Sequence, residues 1–414
     1  MSIKTSRIVV AQTNQLEESH MLFDYSISEF VGLQGAEVDK VEENESMKII
    51  HVSVKREEQI CPCCGTAAHR VHDYYNRTIK DLPCFEKKTR IIYHLRRYRC
   101  SSCGKRFAEK AGFIGRYRRM TRRMVAAVIS RLAQPVTYTH VAGELDIHPS
   151  TVIRLFDNIR ISRPAELPEC IAIDEFKGNT GGEKYNCILT DPENHKVLDI
   201  LPKRYDYYLS HYFTQYPRDN RLKVKYFVSD MWKVYSDTAG IYMKNAMRVV
   251  DRYHWIRQAE WALENERKNI QKRIPPSERK YYKRSKSLLN KPEYLLTEDE
   301  RLRVNIMPER SPDLFTAYFY FHDLRNILKT GDVLSRQNEL KKWISSACRC
   351  GVHSVERCSA TFFNWEEGIM NSLATPLSNG FTEGCNNKIK VLKRNAYGFR
   401  NFERFRNRVL YMFS

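Results

Sequence analysis

The chain has 414 residues, enough for about two to four domains and too many for a single compact core. Lys and Arg number 69 and Asp and Glu number 49, so the formal net charge is +20. A protein that handles a neutral metabolite has no evident need for such an excess, and we therefore expect a polyanionic partner. No uncharged apolar run reaches the ~18 residues of a membrane helix, so we predict no membrane partner and a cytoplasmic, nucleoid-associated location.

The twelve cysteines indicate a metal site rather than disulfides, because they are spread along a long chain. Cys61 and Cys64 form one C-x-x-C pair, Cys100 and Cys103 form another, and a glycine follows each pair at once. Such a turn brings two thiolates to the same tetrahedral ion, while the glycine lets the backbone curl around the sulfurs. We predict structural Zn²⁺, since four protein ligands leave no coordination position open for chemistry.

The sequence also offers other possible ligands for the zinc ion. Cys63 offers a second register for the first pair, although only Cys61 reproduces the C-x-x-C-G pattern of the second. The stretch between the pairs exceeds the commonest zinc spacing. It contains four further candidate ligands: His69, His72, Cys84 and His94.

Residues 1–45 show no clear period, and we interpret them as a lead segment. From Met47 the alternation in IIHVSV and RIIYHLRRYRC predicts a small β module, the zinc ribbon, over residues 46–110. Between Lys87 and Arg123 there are fourteen Lys or Arg and one acid, interleaved with aromatic residues, which favours a folded basic surface over a disordered arm. The DNA-contact candidates in this block are Arg97, Arg99, Lys105 and Arg106.

Residues 115–162 have a helical period, with two short amphipathic pieces on either side of Asp146. This spacing predicts a helix-turn-helix with Ser150–Asn158 as the recognition helix. Thr151 and Arg154 are the side chains that we expect to reach base edges. Two alternatives stay open: a helical hairpin that only packs, and Arg154 as a salt-bridge partner.

Residues 165–262 predict strands and helices in the order βββ-α-β-α-β-α, which is typical of an RNase H-like fold. Residues 263–369 are charged and helical, and we interpret them as a helical insertion into this core. Residues 370–414 then form the C-terminal helical part of the core. The predicted fold class is multidomain α+β: an N-terminal zinc ribbon, a helix-turn-helix, and an RNase H-like mixed α/β catalytic core interrupted by an α-helical insertion.

Two acids follow apolar strand-like runs of the predicted core. Asp174 follows the apolar run Ile171-Ala172-Ile173, and Asp230 follows Tyr226-Phe227-Val228-Ser229. In an RNase H-like order the two strands are neighbours, so the two aspartates meet at one sheet edge. Acidic ligands that converge from separate elements are what a two-metal phosphodiester site needs.

A third acid, Glu383, lies in the segment SNGFTEGCNNKIKVLKR, which has a helical period. At about 100° per residue, one helix face carries Glu383 with three further polar side chains: Asn387, Lys390 and Arg394. The opposite face carries Cys385, Ile389, Leu392 and Ala396. We expect the apolar face to pack on the sheet, and Lys390 and Arg394 to contact DNA beside the carboxylate.

The remaining acids of the core fit this argument less well. A lone Asp after a strand is most often a turn or cap residue, and Glu175 would point to the other face of its strand. Less well placed by the same argument are Asp237, Asp251, Glu366 and Glu367.

Several blocks of the sequence resemble insertion-sequence transposases of the ISL-three family, a branch of the DDE transposases. They run from about residue 46 to the C-terminus: CPCCG, RRYRCSSCGKRF, VAGELDIHPSTVIRLF, IAIDEFKG, FVSDMWKVY, VVDRYHWIRQ and SNGFTEGCNNKIKVLKRNAYGFRNFERFRNR. The resemblance implies a zinc ribbon and helix-turn-helix that bind terminal inverted repeats, and a catalytic triad of Asp174, Asp230 and Glu383. Trp232 and His254 match family positions near that site.

The function expected from these observations is DNA transposition with two Mg²⁺ or Mn²⁺ ions. Strand cleavage would leave a free 3′-hydroxyl, which attacks target DNA in a direct transesterification. We expect a homodimer or higher oligomer on DNA, because two element ends must be brought together. The alternatives are a domesticated zinc-ribbon and helix-turn-helix regulator with a relic catalytic core, and a structure-specific nuclease.

Overall fold

The computed structural model describes residues 31–115, 118–180, 183–283, 285–309 and 311–414. The chain divides into two compact units, Met1–Ile159 and Arg160–Ser414. Together they form a multidomain α+β protein, as predicted. Each helix in the described ranges is too short or too polar to cross a bilayer.

The first unit is built on a mixed sheet. Its strands are β1 (Ala36–Glu43), β2 (Met47–Val54), β3 (Gln59–Ile60), β4 (Ala67–Ala68), β5 (Val71–Cys84), β6 (Lys87–Arg99) and β7 (Arg106–Ala108). The main sheet has the order β1-β2-β6-β5, with β7 also paired to β6, while β3 and β4 form a separate hairpin. Strands β2 and β6 are parallel, and Ile50, Val52, Ile79 and Ile91 lie in the core beneath them.

Strand β1 lies inside the segment that the sequence indicated as a lead. None of its residues is buried, so its sequence shows no apolar alternation and gives no strand signal. It nevertheless pairs with β2 along its length. The rest of that prediction, residues 1–30, lies outside the described residues.

Three short helices follow the sheet: α1 (Arg122–Arg131), α2 (Tyr138–Glu144) and α3 (Pro149–Phe156). The side chains of Thr121, Thr137 and His148 accept backbone hydrogen bonds at their N-termini. The pair α2 and α3 is the predicted helix-turn-helix. The recognition helix begins at Pro149 and ends at Phe156, slightly earlier at each end than predicted.

The turn between α2 and α3 is held by an ion cluster around Asp146. Its backbone is left-handed, with φ +50°, and its carboxylate meets three cations of β5 and β6. The oxygens lie 2.8 Å from Lys88 Nζ, 2.7 Å from Arg90 Nη2 and 3.4 Å from Lys80 Nζ. Hydrogen bonds from Arg90 and then Lys88 hold the pKa of Asp146 well below its usual range. The cluster therefore fastens the helix-turn-helix to the sheet.

The second unit contains the predicted RNase H-like sheet. Its strands are β8 (Cys170–Thr180), β9 (Glu183–Asp191), β10 (Lys196–Leu201), β11 (Tyr226–Ser229) and β12 (Met247–Val250). They are ordered β10-β9-β8-β11-β12, with β9 antiparallel to both neighbours and β11 parallel to both. The predicted RNase H-like core is thus confirmed, and β8 and β11 are neighbours as predicted.

Helices cover both faces of this sheet and continue into a helical array. They are α4 (Asp206–Thr214), α5 (Arg218–Leu222), α6 (Lys233–Tyr242), α7 (Arg252–Arg273), α8 (Pro276–Tyr282), α9 (Lys286–Leu289), α10 (Glu298–Glu309), α11 (Pro312–Ile327), α12 (Val333–Ala347), α13 (His353–Asn364), α14 (Glu366–Ala374), α15 (Gly380–Asn395) and α16 (Phe402–Met412). Ile171 and Ile173 pack with residues of α4 and α6. Phe176 packs on the opposite face with residues of α15 and α16. Because strand side chains alternate, Asp174 points to the α15 face.

The helical array has its own core, which includes Trp255, Leu314, Trp343 and Phe362. Neither end of the predicted insertion, 263–369, is a break in the fold. Helix α7 runs through residue 263, and α14 begins before residue 369 and packs on β12. An added Cβ on Gly368 would lie 2.6 Å from Val250 Cγ2, so only glycine permits this close approach.

The ion cluster predicts the effect of Asp146→Asn. Asparagine tolerates the left-handed turn but carries no charge, so we expect the first unit to lose about 1 kcal/mol of unfolding free energy at pH 7. Because the folded-state pKa of Asp146 is lowered, its stabilising effect is present above the unfolded pKa of ~3.9 and is lost as the pH falls through the folded value. Hydrogen exchange in α2 and α3, corrected for intrinsic rates, should therefore show a parent–variant difference that shrinks below about pH 4.

The matched control is Asp39→Asn on the exposed strand β1. Asp39 accepts one hydrogen bond, 2.8 Å from Ser53 Oγ, and meets no such cluster. It should leave exchange in α2 and α3 unchanged. Equal effects of the two substitutions would contradict the assignment.

Candidate functional site

The first candidate site is a cluster of four cysteines in the first unit. Cys61 and Cys64 lie between β3 and β4, and Cys100 and Cys103 lie between β6 and β7. The Sγ atoms of Cys61 and Cys103 are 3.6 Å apart, and those of Cys64 and Cys100 are 3.5 Å apart. All four sulfurs lie within 4.8 Å of one another, which is the donor set that a tetrahedral zinc ion takes.

The two glycines have the conformation that the pattern predicts. Gly65 has φ +74° and Gly104 has φ +70°, values that favour glycine. Each donates its N–H to the first cysteine of its pair, at 3.0 Å to Cys61 O and 3.1 Å to Cys100 O. The side chain and backbone of Thr66 lower the pKa of Cys64 to about 6, which favours the thiolate form that binds metal.

The alternative zinc ligands lie outside this cluster, which within the described residues contains the four cysteines alone. Cys63 is exposed. His94 stacks on His51 instead, with their ring nitrogens 3.3 Å apart, and His69 lies 3.6 Å from a carboxylate oxygen of Glu58. His72 and Cys84 are likewise not part of it.

The second candidate site lies at one edge of the RNase H-like sheet. Asp230 follows the last residue of β11, and Asp251 follows the last residue of β12. Asp174 was predicted at the end of its strand, but β8 continues past it to Thr180 in its pairing with β9. The pairing of β11 with β8 stops at Ala172, however, so Asp174 lies just beyond it. Three neighbouring strands thus deliver a carboxylate to the same edge.

Asp174 is buried and Asp230 is half-buried, and both lie near further negative charge. Burial, with a contribution from Asp230, raises the pKa of Asp174 to about 7, and burial with the charge of Glu175 raises that of Asp230 to about 6. Asp174 Oδ2 accepts a hydrogen bond from Asn386 Nδ2 at 2.8 Å. Asp230 Oδ1 is buried and has no hydrogen-bond donor among the described residues.

Glu383 lies close to two residues that the argument from sequence placed less firmly. Ligand atoms of Asp251, His254 and Glu383 all lie within 4.8 Å of one another. Asp251 Oδ1 accepts the Asn379 N–H at 2.8 Å, while its buried Oδ2 has no donor in the described part of the chain. His254 Nε2 is 4.0 Å from Glu383 Oε1 and has no hydrogen bond there either.

Asp251, which the sequence placed less well than the other acids, thus lies in this group. The run Met247-Arg248-Val249-Val250 before it is a strand whose last two residues are buried, and Asp251 follows it as Asp230 follows β11. The missing fact was the register, in which Val250 pairs with Ser229 and so aligns the two following acids.

Glu383 occupies the first turn of α15, on the face that was predicted to be polar. Cys385, Ile389 and Leu392 are buried on the other face, as predicted, and Ala396 is half-buried. Lys390 and Arg394 are exposed. Both line a groove of about 1190 Å³ next to the strand that carries Asp174.

The other predicted residues around the acids have defined contacts. Glu175 pairs with Arg204, whose guanidinium lies 4.4 Å from the ring of Trp232. Glu367 pairs with Arg248 at 2.6 Å, Glu366 lies 3.8 Å from Lys341 Nζ, and Asp237 is exposed on α6. Residues 237, 366 and 367 are thus outside the cluster of acids.

The four ribbon residues that were predicted to contact DNA differ in whether an ion pair within the protein offsets their charge. Arg99, Lys105 and Arg106 are exposed. Arg97 is bound by its cross-strand partner Asp73, with Arg97 Nε 2.7 Å from a carboxylate oxygen. Its charge is therefore largely offset within the protein.

Thr151 and Arg154 of α3 line a basic cleft of about 720 Å³ in the first unit. The cleft also contains four cations of the sheet and the loop after it: Lys80, Arg90, Arg118 and Arg119. Arg154 is exposed, and no ion pair holds it among the described residues. The alternative of a salt-bridge role for Arg154 thus finds no partner there.

Family models match the chain in three consecutive parts. A model described as transposase matches residues 171–409, more than half of the chain. A model of the zinc-finger of transposases IS204/IS1001/IS1096/IS1165 matches residues 57–103, and one of the helix-turn-helix domain of transposase family ISL3 matches residues 109–160.

Curated relatives agree with these matches. The chain is 27% identical over 388 residues to the transposase for insertion sequence element IS1001 of Bordetella parapertussis, which covers 90% of this chain and 94% of the relative. It is 24% identical over 265 residues to the transposase for insertion sequence element IS1557 of Mycobacterium tuberculosis, covering 58% and 59%. A Lactococcus lactis protein named ATP-dependent protease is 38% identical over 100 residues, but these cover only 24% of this chain and 31% of that protein.

A zinc ribbon, a helix-turn-helix and an RNase H-like core with acids at its strand ends thus occur in the order that the family models match. The chain belongs to the ISL3 family of insertion-sequence transposases, and it is a DNA-processing enzyme with a helix-turn-helix DNA-binding domain.

Proposed function

We propose that this transposase cleaves DNA at the ends of its element and joins the resulting 3′-hydroxyl to target DNA, with Mg²⁺ or Mn²⁺ held by Asp174, Asp230 and Glu383. The observation that carries the proposal is the group of Asp251, His254 and Glu383, whose ligand atoms lie within 4.8 Å of one another. Asp230 and Asp174 are carried by the next two strands of the sheet, β11 and β8. The intact acids favour this function over that of a regulator with a relic core.

The donor set fits divalent cations. Buried oxygens of Asp230 and Asp251 have no hydrogen-bond donor in the described part of the chain, and such an oxygen is costly unless it meets a donor or a cation. Carboxylate oxygens are the ligands that Mg²⁺ and Mn²⁺ prefer. When bound, two such ions would activate the attacking oxygen and stabilise the leaving oxygen.

The surrounding residues orient the acids and the substrate. Asn386 and the Glu175 N–H hold the two oxygens of Asp174. The Asn379 N–H holds one oxygen of Asp251, whose other, buried oxygen has no donor among the described residues. We include Asp251 and His254 in the site on the strength of their contact with Glu383. Lys390 and Arg394 would bind the phosphates of the DNA strand on the same helix face.

The first unit would recognise the terminal inverted repeats. Cys61, Cys64, Cys100 and Cys103 would hold Zn²⁺ with a structural role. Thr151 and Arg154 would contact base edges from the cleft on α3. The contacts to phosphates would come from the exposed cations Arg99, Lys105 and Arg106, whereas Arg97 is paired with Asp73. We further propose that at least two chains act together, since transposition joins two ends.

Amide substitutions test the catalytic proposal. Asp174→Asn, Asp230→Asn and Glu383→Gln remove a ligand charge and keep the shape of the side chain. Each variant should bind DNA that carries the terminal repeats as well as the parent, and should nick and join it about 100-fold more slowly or worse in Mg²⁺. Gel assays of nicking and strand transfer measure both steps, and Asp251→Asn should behave like these variants.

Asp237→Asn and Glu366→Gln are the matched controls, because both acids lie outside the cluster. They should cleave at the parental rate. Parental cleavage by Glu383→Gln together with an inactive Glu366→Gln would show that the third acid has been misassigned. Glu175 does not serve as a control, since its charge acts on Asp230.

Metal analysis tests the zinc proposal. Protein purified without chelator should contain one zinc per chain, and chelation should unfold residues 46–110, because structural zinc contributes on the order of 10 kcal/mol to folding. Cys64→Ser should lose the metal, whereas Cys63→Ser should keep it. A zinc content well below one per chain would overturn the assignment.

Arg154→Ala tests the recognition helix. The substitution should cost roughly 1–3 kcal/mol of discrimination between terminal-repeat DNA and random duplex, measured as a ratio of binding constants at one salt concentration. Arg122→Ala, an exposed arginine on α1, should weaken binding to both DNAs alike. An unchanged ratio for Arg154→Ala would show that Arg154 does not read bases.

A further inference from the structure

The groove beside the acids has a composition that phosphate binding alone does not explain. We call it the C-terminal groove; it lies between β8 and the turn after α15, and it begins at Glu175, the neighbour of Asp174. Its polar and aromatic lining includes Lys177, Tyr185, Lys393, Arg394, Tyr397 and Arg400. The volume is about 1190 Å³.

The C-terminal groove is strongly basic. Among the described residues it is lined by five cations, Lys390 among them, and by a single acid, Glu175. The charge of Glu175 is offset by its ion pair with Arg204. The Lys393 ammonium donates to the Lys177 carbonyl and so ties helix α15 to strand β8 at this point. A polyanion is therefore the kind of ligand that the groove fits.

Tyr397 projects into solvent at the rim of the groove. Its side chain is 99% exposed, so its ring contributes almost nothing to the core. Its φ is +52°, in the left-handed region that a residue with a Cβ adopts only at a cost. The Gly398 N–H donates to Lys393 O at 2.9 Å, and this hydrogen bond ends the helix. In such a helix end, glycine or asparagine would be more stable than tyrosine at the left-handed position 397. A tyrosine here has no evident folding role.

A second aromatic ring lines the same groove. Tyr185 is half-buried, and the Arg204 guanidinium lies 4.8 Å from its ring centre. Exposed rings among cations are the features with which proteins hold single-stranded nucleic acid, because bases stack on the rings while the cations follow the phosphates. The bases of an intact duplex are already stacked on each other and offer no free face to such a ring.

We propose that the C-terminal groove binds an unpaired DNA segment next to the cleavage site, and that Tyr397 stacks on one of its bases. The proposal rests on the proposed function, since it places this DNA beside the catalytic acids. It adds the kind of DNA, single-stranded rather than duplex, and the residue that distinguishes the two.

Binding of the full-length protein to a fluorescein-labelled oligo-dT tests the groove without any cleavage. Tyr397→Ala should weaken this binding by about 5- to 150-fold, the range expected for loss of one base–aromatic stack, and should change binding to a random duplex by less than about 2-fold. Tyr397→Trp should retain the affinity. Tyr207→Ala, which removes another exposed tyrosine of the same unit, should have no effect.

Photocross-linking identifies the contact directly. An oligo-dT with 5-iododeoxyuridine should cross-link to Tyr397, as mapped by mass spectrometry, and Tyr397→Ala should lose that cross-link. Tyr397→Asn should bind the oligonucleotide as weakly as Tyr397→Ala does. It should unfold at a higher temperature than the parent, because asparagine suits the left-handed turn.

Unchanged oligo-dT binding by Tyr397→Ala, an equal loss on duplex, or a lower unfolding temperature for Tyr397→Asn would each overturn the proposal. The catalytic amide variants separate it from the proposed function. These variants should bind oligo-dT as the parent does. If they still cleaved DNA, the catalytic assignment alone would be refuted. If Tyr397→Ala left oligo-dT binding unchanged, the groove proposal alone would be refuted.

Discussion

The second unit depends on the mutual repulsion of carboxylates that three neighbouring strands bring to one sheet edge. Burial and nearby negative charge raise the pKa of both Asp174 and Asp230, so ionisation of both is unfavourable without added positive charge. Asp174 accepts hydrogen bonds from the Asn386 amide and the Glu175 N–H, and Asp251 accepts one from the Asn379 N–H. These neutral donors hold the carboxylates in place without cancelling their charge. The arrangement supports the proposed binding of cations.

Local patterns predicted the parts of the structure that local chemistry determines. A C-x-x-C-G turn brings its two thiolates together whatever surrounds it. An acid after a buried apolar run was predicted to come to a strand end, which holds for Asp230, whereas Asp174 lies inside β8, just beyond its pairing with β11. Asp251 has the same pattern, but which acids meet depends on strand register, here the pairing of Ser229 with Val250. Register is set by contacts between distant segments, and the sequence does not display it.

Charge pairing was hidden from the sequence for the same reason. The net charge of +20 predicts a polyanionic partner, but it does not show which cations are free. Asp73 binds Arg97 across the β5–β6 ladder, and Asp146 binds cations far from it in the chain. Strand β1 was missed because its side chains are exposed, so no burial pattern marks it. The predicted ends of the helical insertion fall inside continuous helices.

Helix α15 connects two of the places where this unit departs from ordinary folding rules. Its first turn carries Glu383 beside buried oxygens that lack donors, and its end leads to Tyr397 in a strained, exposed turn. Such departures are stable only where the surrounding structure enforces them, and they concentrate at functional sites. Twelve residue steps from Glu383 to the helix end at Asn395 correspond to about 18 Å of helix, and Tyr397 follows in the turn beyond it. Because this helix carries Glu383 and leads directly to Tyr397, a base stacked on Tyr397 would fix the position of the DNA strand relative to the acids.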